Sequence, residues 1–267
     1  MTNGFETPAK TYRICEILRH DLSVWIDTTV ASSIGPPVGL EDLGAALERV
    51  RGSDAAVLNP GPAERFAGKF GGPHRPGLVM RLDWTNVFRG ASHPTPCQEP
   101  MYCPIAEPDE ALTLGASAVM VTLLLGFDEM FEAENVRHVA RFARQASKES
   151  VPTAIDVRPL GPRVSDENMA DTILLGASMA LEFGADIIVL PYPGEAALNT
   201  AASFVSVPIA VDIDAVAGDD GKGVVRALST AGMRCVLLRE RLLASKDIET
   251  EIEQIRSIQQ DSAQGTR

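Results

Sequence analysis

No stretch of about 18 consecutive apolar residues occurs in the 267-residue chain, so no transmembrane helix is expected. The opening residues, Met1 to Lys10, hold no apolar signal-peptide core. Cysteine is sparse: Cys15, Cys97, Cys103 and Cys235 fit no tight metal spacing, and a reduced cytoplasm is the expected setting. His93, Cys97 and Cys103 share one segment, but C-x5-C is loose and a fourth ligand is not evident, so neither metal nor cofactor is expected. Positive charge is also short. The formal net charge is −12, from 24 basic and 36 acidic residues, the reverse of a nucleic-acid footprint. The expected partner is a small-molecule substrate, with no nucleic acid and no membrane. Lysine is scarce: Lys10, Lys69, Lys148, Lys222 and Lys246 stand against 19 arginines.

What the chain does have is rhythm. Short apolar runs alternate with amphipathic segments, giving eight strand candidates: 23–30, 55–59, 77–83, 117–124, 152–158, 186–192, 208–213 and 234–239. Several are apolar throughout, as parallel strands covered on both faces should be. Helices are expected between them, among others at 39–51, at 131–148, and at 166–183 with Ser165 as N-cap. Gly52, Gly115, Gly184 and Gly232 each end a helix shortly before strands two, four, six and eight, a faint quarter-barrel repeat. The fold class expected is α/β, a (β/α)8 TIM barrel filling residues 1–260, with 261–267 as a disordered tail. A doubly wound open sheet would alternate similarly, but no G-x-G-x-x-G follows any strand candidate. Residues 84–106 form a long third loop of the kind that serves as a lid or binding loop.

A barrel carries its chemistry at the C-terminal ends of its strands. Charges inside apolar strands are informative there, because an unpaired buried charge is costly. Asp27, Asp83, Asp156 and Arg158 are the catalytic candidates, and Arg81, Tyr192, Asp212, Lys222, Arg239 and His93 the candidates for binding substrate or an anion. Two readings stand side by side. One is a closed ion-pair network; the other is a pocket where arginines hold an anion and carboxylates move protons. Asp83, Asp156 and Asp212 would also suit Mg²⁺ or Mn²⁺, which favour oxygen ligands. Trp84 and Phe88 read as loop anchors, and His20 and His138 as solvent-facing helix residues.

The segment Val24-Trp25-Ile26-Asp27 through Gly35-Pro36 and Gly39-Leu40-Glu41-Asp42 resembles the first strand and loop of the archaeal-type class I fructose-bisphosphate aldolases. That group includes the deoxyribose-phosphate and tagatose-bisphosphate type aldolases. Residues 110–119, Gly184-Ala185-Asp186 and Tyr192-Pro193-Gly194 extend the likeness over nearly the whole chain. The resemblance implies an aldolase-type barrel, a phosphorylated or carboxylated sugar-like substrate, and homo-oligomers.

It also implies residues that are missing. The family's histidine and glycine after the first aspartate are Thr28 and Thr29 here. Its Schiff-base lysine on strand six aligns with Val189, which has no amine. Its strand-five Tyr-Pro is Arg158-Pro159, and Leu238 replaces the glycine of a phosphate-binding Gly-Arg pair. The expectation is an aldolase-like lyase working without a Schiff base. The alternative is an inactive aldolase-like ligand-binding or regulatory protein.

Overall fold

The computed structural model describes residues 7–36, 40–72, 74–214, 221–239 and 248–264, with side chains except at 221–222 and 258–264. Ten strands are present among the described residues: β1 (Ser23–Asp27), β2 (Ala55–Leu58), β3 (Gly77–Arg81), β4 (Asp83–Thr85), β5 (Tyr102–Pro104), β6 (Ala118–Leu125), β7 (Thr153–Pro159), β8 (Ile187–Pro191), β9 (Ile209–Asp212) and β10 (Cys235–Leu238). Eight of them, all but β4 and β5, close into a parallel barrel in the order β1-β10-β9-β8-β7-β6-β3-β2. Every one of the eight expected strands is there, within a few residues of its expected bounds.

The barrel follows from the period of the strand. Alternate residues face the axis, and Trp25, Val57, Val79, Met120, Ala154, Val189, Ala210 and Leu237 make an inner apolar cluster. Their neighbours, such as Ile26, Met80, Val121, Val157, Leu190 and Leu238, form a second cluster with the surrounding helices. Both faces are therefore buried, which explains the unbroken apolar runs. At the N-terminal end of the strands, Ile17 and Leu18 at the end of α1 (Pro8–Ile17) join the inner cluster. The Trp25 indole donates to the Ile17 carbonyl at 2.7 Å. That end is thus closed by apolar packing.

The helices keep their expected places but not all their expected ends. The first lies at Leu43–Arg49 rather than 39–51, and the Asp42 side chain caps it at the Ala45 amide, 3.0 Å. Asp128 caps α6 (Glu129–Lys148) from Met130 and Phe131. Ser165 is not a cap: α7 runs Met169–Glu182, with Asn168 at the N-cap position. Gly115, Gly184 and Gly232 do take positive φ before their strands, whereas Gly52 does not. The last helix runs Ile248–Gln264, four residues past the boundary expected for a tail, and residues 265–267 lie outside the described residues.

Residues 84–106 are more ordered than a loop. β4 and β5 pair antiparallel, Asp83 opposite Pro104 and Thr85 opposite Tyr102. Asn86 continues the closure, accepting from the Met101 amide at 2.7 Å and donating to the Glu99 carbonyl at 2.9 Å. A hairpin of this kind holds side chains at fixed positions over the barrel mouth.

Near that mouth, the turns after β6 and β7 touch backbone to backbone. A Cβ built on Gly161 would sit 1.9 Å from the Gly126 carbonyl carbon. One on Gly176 of α7 would meet Val157 Cγ1 at 2.3 Å, a side chain that can turn. Overpacking costs about 1–3 kcal/mol when neighbours can yield. Gly161→Ala is expected to lower stability at or beyond the top of that range, and by more than Gly176→Ala, in urea-unfolding curves of the two variants.

Candidate active site

The inward-facing series continues past the apolar cluster by one more step on most strands. Two residues beyond Trp25, Val79, Met120, Ala154, Ala210 and Leu237 come Asp27, Arg81, Thr122, Asp156, Asp212 and Arg239, and a further step on β7 gives Arg158. Strand parity alone therefore converts seven separate chain positions into one polar layer at the C-terminal end of the barrel. All of these side chains are buried.

The layer is a web of ion pairs centred on Asp156. Its Oδ2 accepts from Arg81 Nη2 at 3.0 Å and from Arg239 Nη2 at 2.9 Å, and its Oδ1 from Arg158 Nε at 2.9 Å. Asp27 Oδ2 accepts from Arg81 Nη2 at 3.0 Å and from Arg239 Nη1, while its Oδ1 takes the Thr29 amide and hydroxyl at 2.8 and 2.6 Å. Asp212 Oδ2 bridges Arg158 Nη2 at 2.7 Å and Arg239 Nε at 2.8 Å. Arg81 completes its set with Thr29 Oγ1 at 2.8 Å, Thr122 Oγ1 at 2.7 Å and Asp83 Oδ1 at 3.5 Å.

Above this web opens a cavity of about 310 Å³. Its lining combines the charged Arg81, Asp83, Arg158, Asp212, Asp214 and Arg239 with Thr29, Ser32, Ser33, Thr85 and Thr122 and the apolar Val30 and Phe88. The candidates thus separate. Asp83, Arg81, Arg158, Asp212 and Arg239 reach the cavity; Asp27 and Asp156 lie behind it, engaged by arginines.

Tyr192 is not at the cavity. It follows the inward Val189 and Pro191, so parity turns it outward, where it packs against the outer core. His93 is absent from the lining too; its ring nitrogen is taken up locally by Thr95 at 3.0 Å. Lys222 begins helix Gly221–Thr230, and its side chain lies outside the described residues.

Three further residues find their places. Phe88 lines the cavity. His20 is exposed, as expected, but it sits beyond the end of α1 rather than on a helix, and it pairs with Asp54 at 2.6 Å. His138 is only partly exposed, stacks 5.6 Å from Tyr102, and contacts Glu134 at 3.1 Å. Among the described residues, no group of three His, Cys, Asp or Glu side chains is arranged to hold a metal ion. Asp156 and Asp212, two of the three aspartates considered for Mg²⁺, instead face guanidinium groups on both sides.

The residue that the sequence did not reveal is Tyr102. Its hydroxyl donates to Asp83 Oδ2 at 3.0 Å from the far strand of the hairpin. Asp83 also accepts from the Thr122 amide and hydroxyl, the latter at 3.1 Å. A tyrosine inside a proline-rich loop gives no periodic signal; only the hairpin register brings it to the carboxylate.

Electrostatics separate the carboxylates further. Burial pushes the Asp83 carboxyl above its ordinary value, and Arg81, the Thr122 amide and the Tyr102 hydroxyl only partly pull it back. Burial likewise raises Asp212 against the pull of Arg158. Burial pushes the Tyr102 phenol well up, reinforced by the adjacent Asp83. For Arg81, burial works against the charge, but Asp27, Asp156 and Asp83 together outweigh it and hold the guanidinium ionised.

A closed parallel barrel with a polar, partly desolvated cavity at the C-terminal strand ends is the architecture of a barrel enzyme. The comparisons agree and go further. Residues 21–225 match the model of the DeoC/LacD family aldolases. The chain belongs to that family, a family of aldolase-type lyases. It is 31% identical over 150 residues to the class 1 fructose-bisphosphate aldolase of Thermoproteus tenax, a match covering 56% of this chain and 51% of that protein. The chain therefore spans about half the length of this relative. An archaeal fructose 1,6-bisphosphate aldolase superposes with a TM-score of 0.76 at 21% identity, over 93% of this chain and 98% of the other. A Schiff-base-forming fructose-1,6-bisphosphate aldolase superposes at 0.74 and 22% identity, over 95% and 99%. At that identity the likeness is one of fold.

Two outcomes follow. Removing one partner of a buried ion pair costs about 3–5 kcal/mol, because the other charge stays buried and unpaired. Asp156→Ala takes one carboxylate from three guanidinium groups at once and is expected to lose at least that much, read from the shift of the urea midpoint. The raised Asp83 has the opposite sign to an ordinary salt-bridged aspartate. Between the unfolded value near pH 4 and its raised folded value, the folded state binds more protons, so stability falls as pH rises through that window. Asp83→Asn is expected to flatten that fall, measured as the difference between wild-type and variant unfolding free energies upward from about pH 4.

Proposed function

We propose that the chain is a lyase that makes or breaks a carbon–carbon bond in a small sugar-like carbonyl compound without forming an imine. The observation that carries this reading is the meeting, in one cavity, of Asp83 and Asp212, whose pKa values are raised, with a guanidinium edge. Among the described residues, Arg158 Nη1 has no hydrogen-bond partner, whereas Arg81 directs all three of its nitrogens to protein acceptors.

Val189, aligned with the family's lysine, is fully buried and faces the barrel axis beside Asp156 and Ala210. The described lysine side chains are elsewhere: Lys10 pairs with Asp186 at 2.8 Å, Lys69 pairs with Glu48, and Lys148 ends α6. In the cleavage direction a carboxylate, Asp83 or Asp212, takes the proton of the hydroxyl on the carbon β to the carbonyl. That oxygen becomes the new carbonyl, the Cα–Cβ bond breaks, and its electron pair moves onto the original carbonyl oxygen as an enolate. Arg158 stabilises the developing oxyanion, and the carboxylic acid returns the proton to the enolate carbon. Asp27 and Asp156 position the arginines. This reading keeps the enzyme in the cytoplasm and, by the family resemblance, in a homo-oligomer.

A second reading has an observation of its own. The arginines face aspartates of the same chain, as in a network that only closes the barrel, and a ligand-binding or regulatory protein would need no more.

Turnover of a panel of three- to six-carbon aldoses and ketoses, free and phosphorylated or carboxylated, separates the two. Formation of a cleavage or condensation product supports the lyase; no product with any substrate overturns it. Arg158→Ala is expected to lower kcat/KM roughly 10²–10³-fold, the usual effect of deleting one oxyanion donor. Borohydride treatment during turnover is expected to leave the intact mass unchanged, and a trapped adduct would restore the imine.

A further inference from the structure

We infer that Tyr102 is a positioning residue for Asp83: the hydrogen bond between them serves both protonation states of the carboxyl, and it makes Asp83, rather than Asp212, the proton carrier of the barrel mouth. This deepens the reading above and rests on it for the task of Asp83. It concerns proton binding, which is measured without turnover.

The argument is one of hydrogen-bond direction. A guanidinium and a backbone amide only donate, whereas a hydroxyl both donates and accepts. Asp156 accepts from guanidiniums alone, those of Arg81, Arg158 and Arg239. Asp212 accepts from Arg158 at 2.7 Å, from Arg239 at 2.8 Å and from the Asp214 amide at 3.0 Å. Asp27 has a hydroxyl partner in Thr29, but that oxygen takes Arg81 Nε at 2.8 Å, so its one proton is committed to Asp27. Thr122 is held in the same way. Its oxygen takes Arg81 Nη1 at 2.7 Å, and its proton goes to Asp83 Oδ1 at 3.1 Å. A proton placed in the line of any of these contacts meets the proton of a donor.

Tyr102 is different. Its hydroxyl lies 3.0 Å from Asp83 Oδ2, the oxygen that also takes the Thr122 amide. Among the described residues it is the one partner of these four carboxyls whose hydrogen bond can reverse. Tyr102 donates while Asp83 is ionised, and its oxygen accepts once Oδ2 carries the proton. In the cleavage step that proton comes from the substrate hydroxyl and leaves for the enolate carbon. Tyr102 keeps its own proton throughout, since burial and the adjacent Asp83 both oppose its ionisation.

Charge points the same way. The contact of Asp83 with Arg81, at 3.5 Å, is the longest ion pair of the web, so its ionised form has the weakest support from a guanidinium. Asp83 nevertheless lines the cavity. The phenol is fixed from both sides. Hairpin register sets Tyr102 opposite Thr85, whose hydroxyl donates to the Met101 carbonyl at 2.7 Å. On the outer side its ring lies against His138 of α6, with centroids 5.6 Å apart. His138 contacts Glu134 at 3.1 Å, and Arg141, also on α6, pairs with Glu107 at 3.1 Å. The charged and titratable groups around the pair are therefore Arg81 from the barrel and His138, Glu134 and Arg141 from α6.

Carboxyl-carbon NMR titration of the full chain, with isotope-labelled aspartate, tests this. The Asp83 and Asp212 signals are identified by their loss in Asp83→Asn and Asp212→Asn. Asp83 is expected to titrate at a higher pH than Asp212. Tyr102→Phe is expected to move the Asp83 midpoint upward, because the ionised carboxylate loses a charge-assisted hydrogen bond, and to leave Asp212 in place. Tyr102→difluorotyrosine keeps the ring and hydroxyl but makes the phenol a stronger donor, and is expected to move the same midpoint downward. A purely structural role gives no such opposed pair of shifts. An Asp83 midpoint indifferent to both substitutions, shifts of the same sign in both, or an Asp212 midpoint above that of Asp83 overturns the inference. Should Tyr102→Phe fail to fold, the difluorotyrosine shift decides. Opposed shifts in a chain that forms no product keep this inference and remove the lyase reading; product formation with an indifferent Asp83 does the reverse.

Discussion

Everything at the barrel mouth depends on one requirement: buried charge must be compensated inside the protein. Asp156 meets it for three arginines at once, at 2.9–3.0 Å, from three different strands. The cost of moving these ions out of water is large, and only a nearly complete set of partners offsets it. That is why Asp27, Asp212, Thr29 and Thr122 surround the same guanidiniums. The web ties β1, β3, β6, β7, β9 and β10 together where backbone pairing ends, so ion pairs do at the mouth what apolar packing does at the other end.

The same requirement shapes the chemistry. A Schiff-base lysine must be neutral to attack, and a site of this kind would have to hold it desolvated among cations. On the reading proposed above, Val189 takes the place of that lysine, and arginines border the cavity at the strand ends. Arginine does not lose its proton, so it cannot take the role of amine or of general acid, but it can stabilise an oxyanion. On the reading proposed above, proton transfer falls to carboxyls, and Asp83 and Asp212, at the edge of the web, combine access to the cavity with an environment that disfavours their charged form. Asp27 and Asp156 sit deeper, engaged by arginines.

The hairpin supplies the other half of the site. Residues 84–106 read from sequence as a lid or binding loop, because proline and polar residues give no period to follow. Folded, β4 and β5 are short but paired, and they bring Asp83, Thr85 and Phe88 to the cavity while Tyr102 stands behind Asp83. Asp83 was visible as a charge near a strand end. Tyr102 was not, since its partner lies 19 residues away and only antiparallel register connects them.

The order of residues fixed the eight strands and their parallel closure, because apolar periodicity and glycine placement are local signals that survive without coordinates, while the segments from Val24 to Asp42 and at 184–194 carried the family resemblance. It also marked Asp27, Arg81, Asp156, Arg158, Asp212 and Arg239 as exceptional, since charges in apolar strands stand out. It did not separate the residues that face the axis from those that do not: Tyr192 is one position past an inward residue, and that single step turns it to the outer layer. Nor did it show which arginine N–H groups are already engaged. Those two decisions belong to the tertiary structure. Strand parity acts over single residues, and charge compensation acts between residues that are far apart in the chain but neighbours around the barrel axis.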